Sequence, residues 1–474
     1  MDDSVWIMSV CVLALSLNGR SIGFRLKEKH YCLSDDINPY LKFATKTGYN
    51  LQRGTLDPES LAPEGCEPIQ FWHLLRHGTR YPSRKDIAAF GKLPDLQRRI
   101  LEADSELCDG DLEALRRWSL GGLNETWNYI QTPEGDLELL ELAGRFKNAI
   151  PTLLGKPFSN DSFKFRHTKT QRTEASARAY AKGLFGEESD MVYMPRPLDP
   201  DPLIKFYDVC SKYQREVKDK PEALEEAKLF AEGPEVAAMV ARMSKRLGIS
   251  LTLDYVETLY DACRFYKAWM PSEMSVWCAA FTPDDLKIME YCEDLEYYYE
   301  SGYGHVINYE SACPMMKDLL LHLSNAVDGR SVPSSTFYFG HSGALQKMMA
   351  RLGLYKDAIP LTHEGFEQDR LWRTSRHGIF TTNLAFTLSK CTGEREFWVT
   401  LMVNEMPVQI PGCPDTAGCS WQDFMKIYGQ YENCDFDVIC ENEKEYYSSS
   451  GSLYYLHFLT KAFFLLGNVP FLWS

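Results

Sequence analysis

Several features that define common protein classes are missing from this sequence. It contains no Cys-x-x-Cys motif and no quartet of cysteines and histidines, so a structural zinc site is not expected. It has no excess of positive charge, because 51 lysines and arginines stand against 66 acidic residues and the formal net charge is -15. This balance argues against a nucleic-acid partner. A polyanionic ligand would need a local basic cluster that overcomes the overall field.

Long hydrophobic runs are also scarce, and the two of interest lie near the ends. The apolar run at residues 5–15 is too short to span a bilayer and predicts a signal peptide over residues 1–23, although Asp2 and Asp3 stand where basic residues are usual. Residues 446–474 place small residues before an apolar tail, which predicts a GPI-anchor signal. A spanning helix or an amphipathic tail are the alternatives. We therefore expect a protein of the secretory pathway, secreted or attached to the cell-surface membrane rather than retained in the ER lumen.

Cysteine, by contrast, is abundant. The 14 cysteines include close pairs that fit disulfides in an oxidising compartment. Three such pairs are Cys278/Cys292, Cys413/Cys419 and Cys434/Cys440. Removal of Cys11 with a signal peptide would leave an odd number, so at least one thiol should stay free or pair between chains. Two sequons, at Asn124 and Asn160, are candidate glycosylation sites in that compartment.

The motif that carries the chemistry lies at residues 68–82, where an apolar run of strand length ends abruptly in charge, glycine and proline. This pattern predicts a buried strand that leads into a turn. Arg76 and Arg80 flank His77, so two fork-shaped cationic donors stand beside an imidazole that can act as a nucleophile. Gly78 allows the backbone to approach a ligand closely, and Pro82 stiffens the end of the turn. Such a group suits phosphoryl transfer.

These residues resemble the hallmark Arg-His-Gly-x-Arg-x-Pro of the histidine acid phosphatase family. The resemblance implies that His77 is the phosphoryl acceptor and that Arg76 and Arg80 bind the substrate phosphate. A second copy of the first three letters, at residues 376–378, continues without the second arginine and the proline. We interpret this copy as a loop that enters a strand.

Two further stretches complete the predicted site. An alternating segment from residue 163 predicts a short strand, followed by a helix that begins at Thr173. The sequence Arg-Thr-Glu-Ala-Ser-Ala at this helix start resembles the family motif that contains its third phosphate-binding arginine, which is Arg172 here. Residues 335–343 predict another buried strand, which ends at His341 near a helix start where anions are favoured. Strands that end in His77 and His341, with Arg172 on a third turn, are expected at the carboxyl edge of an open α/β sheet.

One family feature is absent. Histidine acid phosphatases place an aspartate directly after this second histidine, or a glutamate two residues after it in the inositol polyphosphate branch, as the proton donor. This chain has Ser342 and Gly343 at those positions, and loss of a positioned acid typically costs ~10²–10⁴-fold in rate. The proton donor is therefore unknown from the sequence. One alternative is that another donor takes its place, either a water or a carboxylate such as Glu364. The other is that the substrate has a leaving group that needs little protonation.

The resemblance covers roughly residues 66–440 and is closest to the multiple inositol polyphosphate phosphatases, notably at residues 338–341, 354–357, 360–362 and 404–405. It implies an α/β fold: a histidine phosphatase-like core sheet with helices on both faces and an α-helical insertion or cap. We expect the first part of the core at residues 24–198, the mainly helical insertion at 199–330 and the second part of the core at 331–445.

The function implied by this resemblance is hydrolysis of phosphomonoesters of inositol polyphosphates, phytate and lower inositol phosphates included, through a phosphohistidine intermediate and without a metal or other cofactor. A further candidate substrate is 2,3-bisphosphoglycerate. The basic residues Arg84, Lys85 and Lys169 are candidates for contacts with further phosphates. A weakly active or inactive phospho-ligand-binding protein, or a phosphotransferase of the same superfamily, are the alternatives.

Overall fold

A single mixed sheet lies at the centre of the computed structural model, which describes residues 31–35, 41–392 and 396–442. The predicted signal peptide and the apolar tail lie outside these residues. Within them, the strand order is β2-β3-β1-β4-β5-β6, with β7 paired to β5. The strands are β1 (Cys66–Arg76), β2 (Phe163–His167), β3 (Ser335–Gly340), β4 (Asn383–Cys391), β5 (Phe397–Val403), β6 (Met406–Pro407) and β7 (Cys419–Ser420).

Strands β1, β2 and β3 run parallel, whereas β4 is antiparallel to β1 and β5 is antiparallel to β4. Arg76 at the end of β1 pairs with Gly340 at the end of β3, and His167 at the end of β2 pairs with Phe339. The carboxyl ends of the three parallel strands therefore meet at one edge of the sheet. Open α/β sheets bind their ligands at this edge.

Helices connect the strands and surround the sheet. None of them, in the described ranges, is long and apolar enough to cross a membrane. The longer helices are α1 (Arg84–Phe90), α2 (Leu93–Glu102), α3 (Asp109–Arg117), α4 (Pro133–Ala149), α5 (Gln171–Phe185), α6 (Glu225–Ala231), α7 (Pro234–Leu247), α8 (Leu253–Trp269), α9 (Pro283–Ser301), α10 (Cys313–Val327), α11 (Ser342–Leu352) and α12 (Trp421–Tyr428).

The sheet buries apolar side chains on both of its faces. Phe71 and Leu75 of β1 pack with the apolar sides of α4 and α5, and Trp72 and Leu74 pack with those of α10 and α11. Successive side chains of a strand point to opposite faces, so a strand that is apolar at nearly every position needs cover on both. This arrangement confirms the predicted α/β fold with helices on both faces of the sheet.

A third hydrophobic cluster joins helices from two separate parts of the chain. Phe90 and Leu96 of α1 and α2 pack with Met239, Phe265 and Leu286 of α7, α8 and α9. In the described residues between 199 and 330 the regular elements are helical. The helical layer is nevertheless built jointly with α1–α3, which precede that segment.

Local sequence signals set several helix starts. Thr282 caps α9, because its hydroxyl accepts a hydrogen bond from the backbone N–H of Asp285 and the Asp285 carboxylate accepts one from the N–H of Thr282. Helix α5 begins at Gln171, two residues before the predicted start at Thr173. Arg172 therefore lies in the first turn of α5 and not in the preceding turn.

Six disulfides link the described residues, and Cys292 is free among them. This agrees with the odd number of cysteines expected after loss of Cys11. Of the close pairs noted in the sequence, Cys413 and Cys419 do form a bond. Cys434 and Cys440 instead bond to distant cysteines, and Cys278 bonds to Cys263 while Cys292 is free. The bonds are Cys32–Cys108, Cys66–Cys391, Cys210–Cys440, Cys263–Cys278, Cys313–Cys434 and Cys413–Cys419. Such a set fits an oxidising compartment such as the secretory pathway.

Candidate active site

A cavity of about 350 Å³ lies at the carboxyl edge of the parallel strands. The five residues predicted to act on phosphate all line it, although they come from three distant parts of the chain: Arg76, His77, Arg80, Arg172 and His341. The structure therefore brings together every residue of the predicted phosphate site. Further lining residues are Lys205, Tyr207, Asp208, Tyr213, Gln214, Lys218, Tyr297, Glu300, Ser301, Ser342, Gly343 and Lys347.

His77 directly follows β1 and is buried. Its Nδ1 lies 2.9 Å from the carbonyl oxygen of Gly78, and because a carbonyl can only accept, Nδ1 carries the proton and Nε2 keeps its lone pair. Burial, followed by the positive charges of Arg76 and Arg172, holds the pKa of His77 well below its usual range. The imidazole is thus neutral at physiological pH, which is the state a nucleophile requires.

The loop after β1 is held tightly against α4 and α5. A Cβ atom at Gly78 would lie 2.4 Å from the carbonyl oxygen of Gly135, so only glycine fits at this contact. The N–H of Gly78 donates to Oγ of Ser176, at 3.0 Å, in α5. The N–H and hydroxyl of Thr79 donate to the carboxylate of Glu138, at 2.9 and 2.8 Å. These bonds fix the backbone that carries His77.

Glu138 is a positioning residue that the sequence analysis missed. It is buried on α4 among the apolar side chains of that helix. Its carboxylate also accepts a hydrogen bond of 2.6 Å from the hydroxyl of Thr381, so it ties the His77 loop to the segment before β4. An acidic residue among the buried positions of an apolar helix face is the signal that could have found it, because an unpaired carboxylate is rarely buried.

Two backbone carbonyl oxygens and an aromatic ring hold the guanidinium of Arg76 in place. Its Nη1 donates to the carbonyl oxygens of Thr45 and Gly378, at 2.6 and 2.7 Å, and its guanidinium lies 4.7 Å from the centre of the Phe380 ring. Burial lowers the pKa of Arg76 to about 9, and the neighbouring Arg80 contributes to this shift. The group therefore stays protonated at neutral pH, in surroundings where an anion would offset the cost of burying its charge.

Arg80 and Arg172 share one aromatic platform, Tyr129. The two guanidinium carbons lie 4.6 and 5.2 Å from the centre of this ring, which favours cations over its face. Burial and then the charge of Arg80 lower the pKa of Arg172 to about 10. The Nε atoms of Arg76 and Arg172 are buried, and neither has a hydrogen-bond partner among the described residues. The arginines thus form a preassembled cluster of cations with spare donors.

His341 follows β3 and occupies the N-cap position of α11, without a capping hydrogen bond from its side chain. Its Nδ1 accepts a hydrogen bond of 3.3 Å from Nη2 of Arg172, so its proton lies on Nε2, which donates to Oγ1 of Thr168 at 2.9 Å. Burial and then the charge of Arg172 hold the pKa of His341 well below its usual range. Its ring centre is 5.7 Å from that of His77, so both imidazoles face the same site.

The structure does not bring Glu364, a predicted alternative proton donor, to the cavity. Its side chain is 86% exposed and lies beside His363. Ser342 and Gly343 do line the cavity, at the positions where the family places its acid. The carboxylates that line it are instead Asp208 and Glu300, which form ion pairs with Lys205 and Lys218.

The three basic residues predicted to meet further phosphates lie outside this cavity. Arg84 forms an ion pair with Glu125, Lys169 forms one with Asp199, and both are exposed. Lys85 lines a neighbouring cavity that shares Arg80 and Tyr297 with the first. The lysines that do line the active-site cavity are Lys205, Lys218 and Lys347. The sequence analysis missed the first two because it treated residues 199–330 only as a helical insertion.

The second Arg-His-Gly sequence, at residues 376–378, contacts the first through a hydrogen bond to Arg76. Residues Thr374–His377 form a short helix rather than the predicted loop. His377 is buried and its ring stacks on Tyr355 at 4.6 Å, and it is not among the cavity residues. Gly378 supplies one of the two carbonyl oxygens that hold Arg76. The copy is therefore a structural support for the site and not a second nucleophile.

Comparisons with known proteins identify the family of the chain. A family model described as histidine phosphatase superfamily (branch 2) matches residues 69–404. Multiple inositol polyphosphate phosphatase 1 of Drosophila melanogaster is 33% identical over 453 residues, which cover 90% of this chain and 92% of that protein. The phytase of D. castellii has a similar fold, with a TM-score of 0.67, 16% identity and coverage of 90% of this chain and 93% of that one.

A second solved structure, the Bifidobacterium longum multiple inositol polyphosphate phosphatase in complex with inositol hexasulfate, gives a TM-score of 0.60 at 15% identity, over 78% of this chain and 93% of that one. Fold similarity and sequence similarity thus agree over most of the chain. The chain belongs to branch 2 of the histidine phosphatase superfamily and is a phosphoric monoester hydrolase of the histidine acid phosphatase type.

Proposed function

We propose that this protein hydrolyses the phosphomonoesters of inositol polyphosphates, phytate and lower inositol phosphates included, through a phosphohistidine intermediate on His77. The single observation that supports this most strongly is the meeting of Arg76, Arg80, Arg172 and His341 around the unprotonated Nε2 of His77. The name of the Drosophila relative and the inositol hexasulfate complex of the B. longum enzyme suggest the substrate class.

In the first step, Nε2 of His77 attacks phosphorus in line with the ester bond. A P–N bond forms, the P–O ester bond breaks, and the alkoxide takes up a proton as it leaves. Arg76, Arg80 and Arg172 bind the non-bridging oxygens, over which the transition state spreads its charge. His341 contributes through its bond to Arg172 and, once it turns its Nε2–H from Thr168, can itself donate to a phosphate oxygen.

In the second step, a water molecule attacks phosphorus from the side the alcohol has left. The P–N bond breaks, inorganic phosphate forms and Nε2 of His77 regains its lone pair. The hydrogen bond from Nδ1 to the Gly78 carbonyl holds the ring through both steps, so the same nitrogen faces phosphorus each time. Microscopic reversibility requires the group that gave the proton in the first step to take one from water in the second.

The charge of the cavity explains how an acidic protein can bind a polyanion. The net charge is -15, yet the cavity is lined by three arginines and three lysines against two carboxylates, Asp208 and Glu300. Such a concentration of one sign in a concave site attracts oppositely charged ligands by focusing the local field. Lys205 and Lys218 are candidates for contacts with the other phosphates of an inositol polyphosphate, since both line the same cavity.

Phosphate release from inositol hexakisphosphate tests the proposal. We expect turnover by the wild type and a loss of at least ~10³-fold in His77→Ala, since the nucleophile is removed. His363→Ala is the matched control, because this histidine is partly exposed and lies outside the cavity; it should keep wild-type activity. Equal phosphate release by wild type and His77→Ala would refute the proposed phosphatase activity. Ligand binding without turnover would indicate a phospho-ligand receptor.

A further inference from the structure

The missing family carboxylate has a cationic neighbour on the same helix face. Gly343, where the inositol polyphosphate branch carries its glutamate, lies in the first turn of α11, and Lys347 follows it by four residues. Residues four apart lie one above the other on a helix, and side chains lean toward the helix N-terminus. The Lys347 side chain therefore extends toward the level of Gly343 and the cavity, which both residues line.

The ammonium group of Lys347 is held in the corner that a side chain at position 343 would enter. Its Nζ donates to the carbonyl oxygen of Glu300 at 2.7 Å and to Oγ of Ser301 at 3.1 Å. A Cβ atom at Gly343 would lie 3.7 Å from the same Oγ and 3.6 Å from Cζ of Tyr207. The two positions thus converge on one point, and the contacts use two of the three N–H groups of the ammonium.

The surroundings of Lys347 favour the release of its proton. The residue is 1% exposed, and burial lowers its pKa to about 7, helped by the charge of Lys218 and opposed by Glu300 and Asp208. The remaining groups that face it are aromatic: Nζ lies 4.2 Å from the ring centre of Tyr213 and 5.5 Å from that of Tyr207.

We propose that Lys347 is the proton donor of the first step and the general base of the second, in place of the absent glutamate. This inference rests on the proposed phosphatase function. In the first step the Lys347 ammonium gives one proton to the leaving oxygen as the P–O bond breaks, and a neutral amine remains. In the second step the amine takes a proton from the attacking water as the P–N bond breaks, which restores the ammonium and releases phosphate.

The other proton-bearing groups of the cavity fit this role less well. The carboxylates of Asp208 and Glu300 are already engaged in ion pairs with Lys205 and Lys218. Burial raises the pKa of Tyr207 and of Tyr213 above the usual range, so both phenols hold their protons too tightly to donate one in the first step. A donor that works near its own pKa is the most effective at both tasks.

Two substrates with different leaving groups separate proton donation from other roles. The alkoxide of inositol hexakisphosphate needs a proton to leave, whereas the nitrophenolate of 4-nitrophenyl phosphate does not. We expect Lys347→Met to lose ~10²–10³-fold in kcat/KM on the inositol substrate and less than ~10-fold on the aryl phosphate. Lys347→Arg should behave in the same way, because arginine keeps the positive charge but does not release its proton.

Two further variants sharpen the test. Arg351→Met, one turn further along α11 and outside the cavity, is the matched control and should retain wild-type activity on both substrates. Gly343→Glu in the Lys347→Met background should restore at least ~10-fold on inositol hexakisphosphate, since the space at Gly343 admits a side chain at ordinary contact distance.

The pH dependence of the wild type provides a test that needs no variant. Because the donor must be protonated, kcat/KM on inositol hexakisphosphate should fall as the pH rises through about 7, the pKa of Lys347, whereas kcat/KM on the aryl phosphate should not show this fall. Equal losses on both substrates in Lys347→Met, or no loss on either, would overturn the inference. The proposed function would fail separately, through unchanged phosphate release by His77→Ala.

Discussion

At the scale of single residues, the site depends on two histidines that stay neutral among cations. His77 and His341 are surrounded by Arg76, Arg80 and Arg172, and burial together with these charges lowers the pKa of both imidazoles. A protonated imidazole could not attack phosphorus, so the same cations that we propose to bind the substrate would also keep His77 reactive in acid. We therefore expect activity to persist below the usual pKa range of histidine.

Arg172 offers the clearest single-residue prediction. Arg172→Met should lose ~10²–10³-fold in kcat/KM on inositol hexakisphosphate, because it removes a preorganised donor and releases His341. Arg178→Met is the matched control: Arg178 lies on the same helix, is exposed and pairs only with Glu174 in the described contacts. It should stay within about two-fold of the wild type, as surface pairs contribute little. Similar losses in both variants would contradict the assigned role of Arg172.

At the scale of elements, the site depends on the close packing of the β1 loop on the first turn of α4. A Cβ atom at Gly135 would lie 2.2 Å from the carbonyl oxygen of Thr79 and 2.9 Å from Cγ of Gln131. Gly144 lies on the same helix, yet a Cβ atom there would meet nothing within 4 Å. One helix thus contains a glycine required by packing and one that is not.

These two glycines predict opposite effects of the same substitution. Gly135→Ala should lower the free energy of unfolding by ~1–3 kcal/mol, since the loop must move, and should also lower kcat by displacing His77. Gly144→Ala should raise the free energy of unfolding by ~0.5–1 kcal/mol, because alanine is the better helix former. Urea unfolding and phosphate release measure both effects. Equal stability of the two variants would show that the contact at Gly135 is not tight.

The sequence predicts those elements whose apolar patterns are continuous and whose ends carry the motif. Strands β1 and β3 and the turn at His77 follow directly, because a buried run that stops at charge and glycine has few other interpretations. The pattern could not reveal the antiparallel addition of β4 and β5, which depends on tertiary pairing. Lys347 escaped notice because it lies on a helix face that otherwise reads as apolar core, and its role depends on contacts with Glu300 and Ser301.

At the scale of the whole molecule, buried neutral histidines link stability to pH. His73 lies inside the sheet and His377 lies behind the site, and burial lowers the pKa of each to about 3. In the unfolded chain both return to 6.5, so the unfolded state binds more protons between these values. Stability is therefore complete above pH 6.5 and is lost as the pH falls toward 3.

This linkage predicts a slope of ~1.4 kcal/mol per pH unit for each of these histidines over that window. Urea unfolding at a series of pH values measures the slope. His377→Gln should reduce the slope by ~1.4 kcal/mol per pH unit, the contribution of one proton. His363→Gln changes a partly exposed histidine and should leave the slope unchanged. An unchanged slope in His377→Gln would show that His377 is protonated in the folded protein.

The central claim, that His77 accepts the phosphoryl group, can be tested by trapping the intermediate. Wild-type protein mixed rapidly with inositol hexakisphosphate and quenched in alkali, where phosphohistidine survives, would be digested and examined by mass spectrometry. We expect a phosphoryl group on His77 in the wild type and none in His77→Ala. A phosphoryl group on another residue, or turnover with no covalent intermediate, would contradict the account.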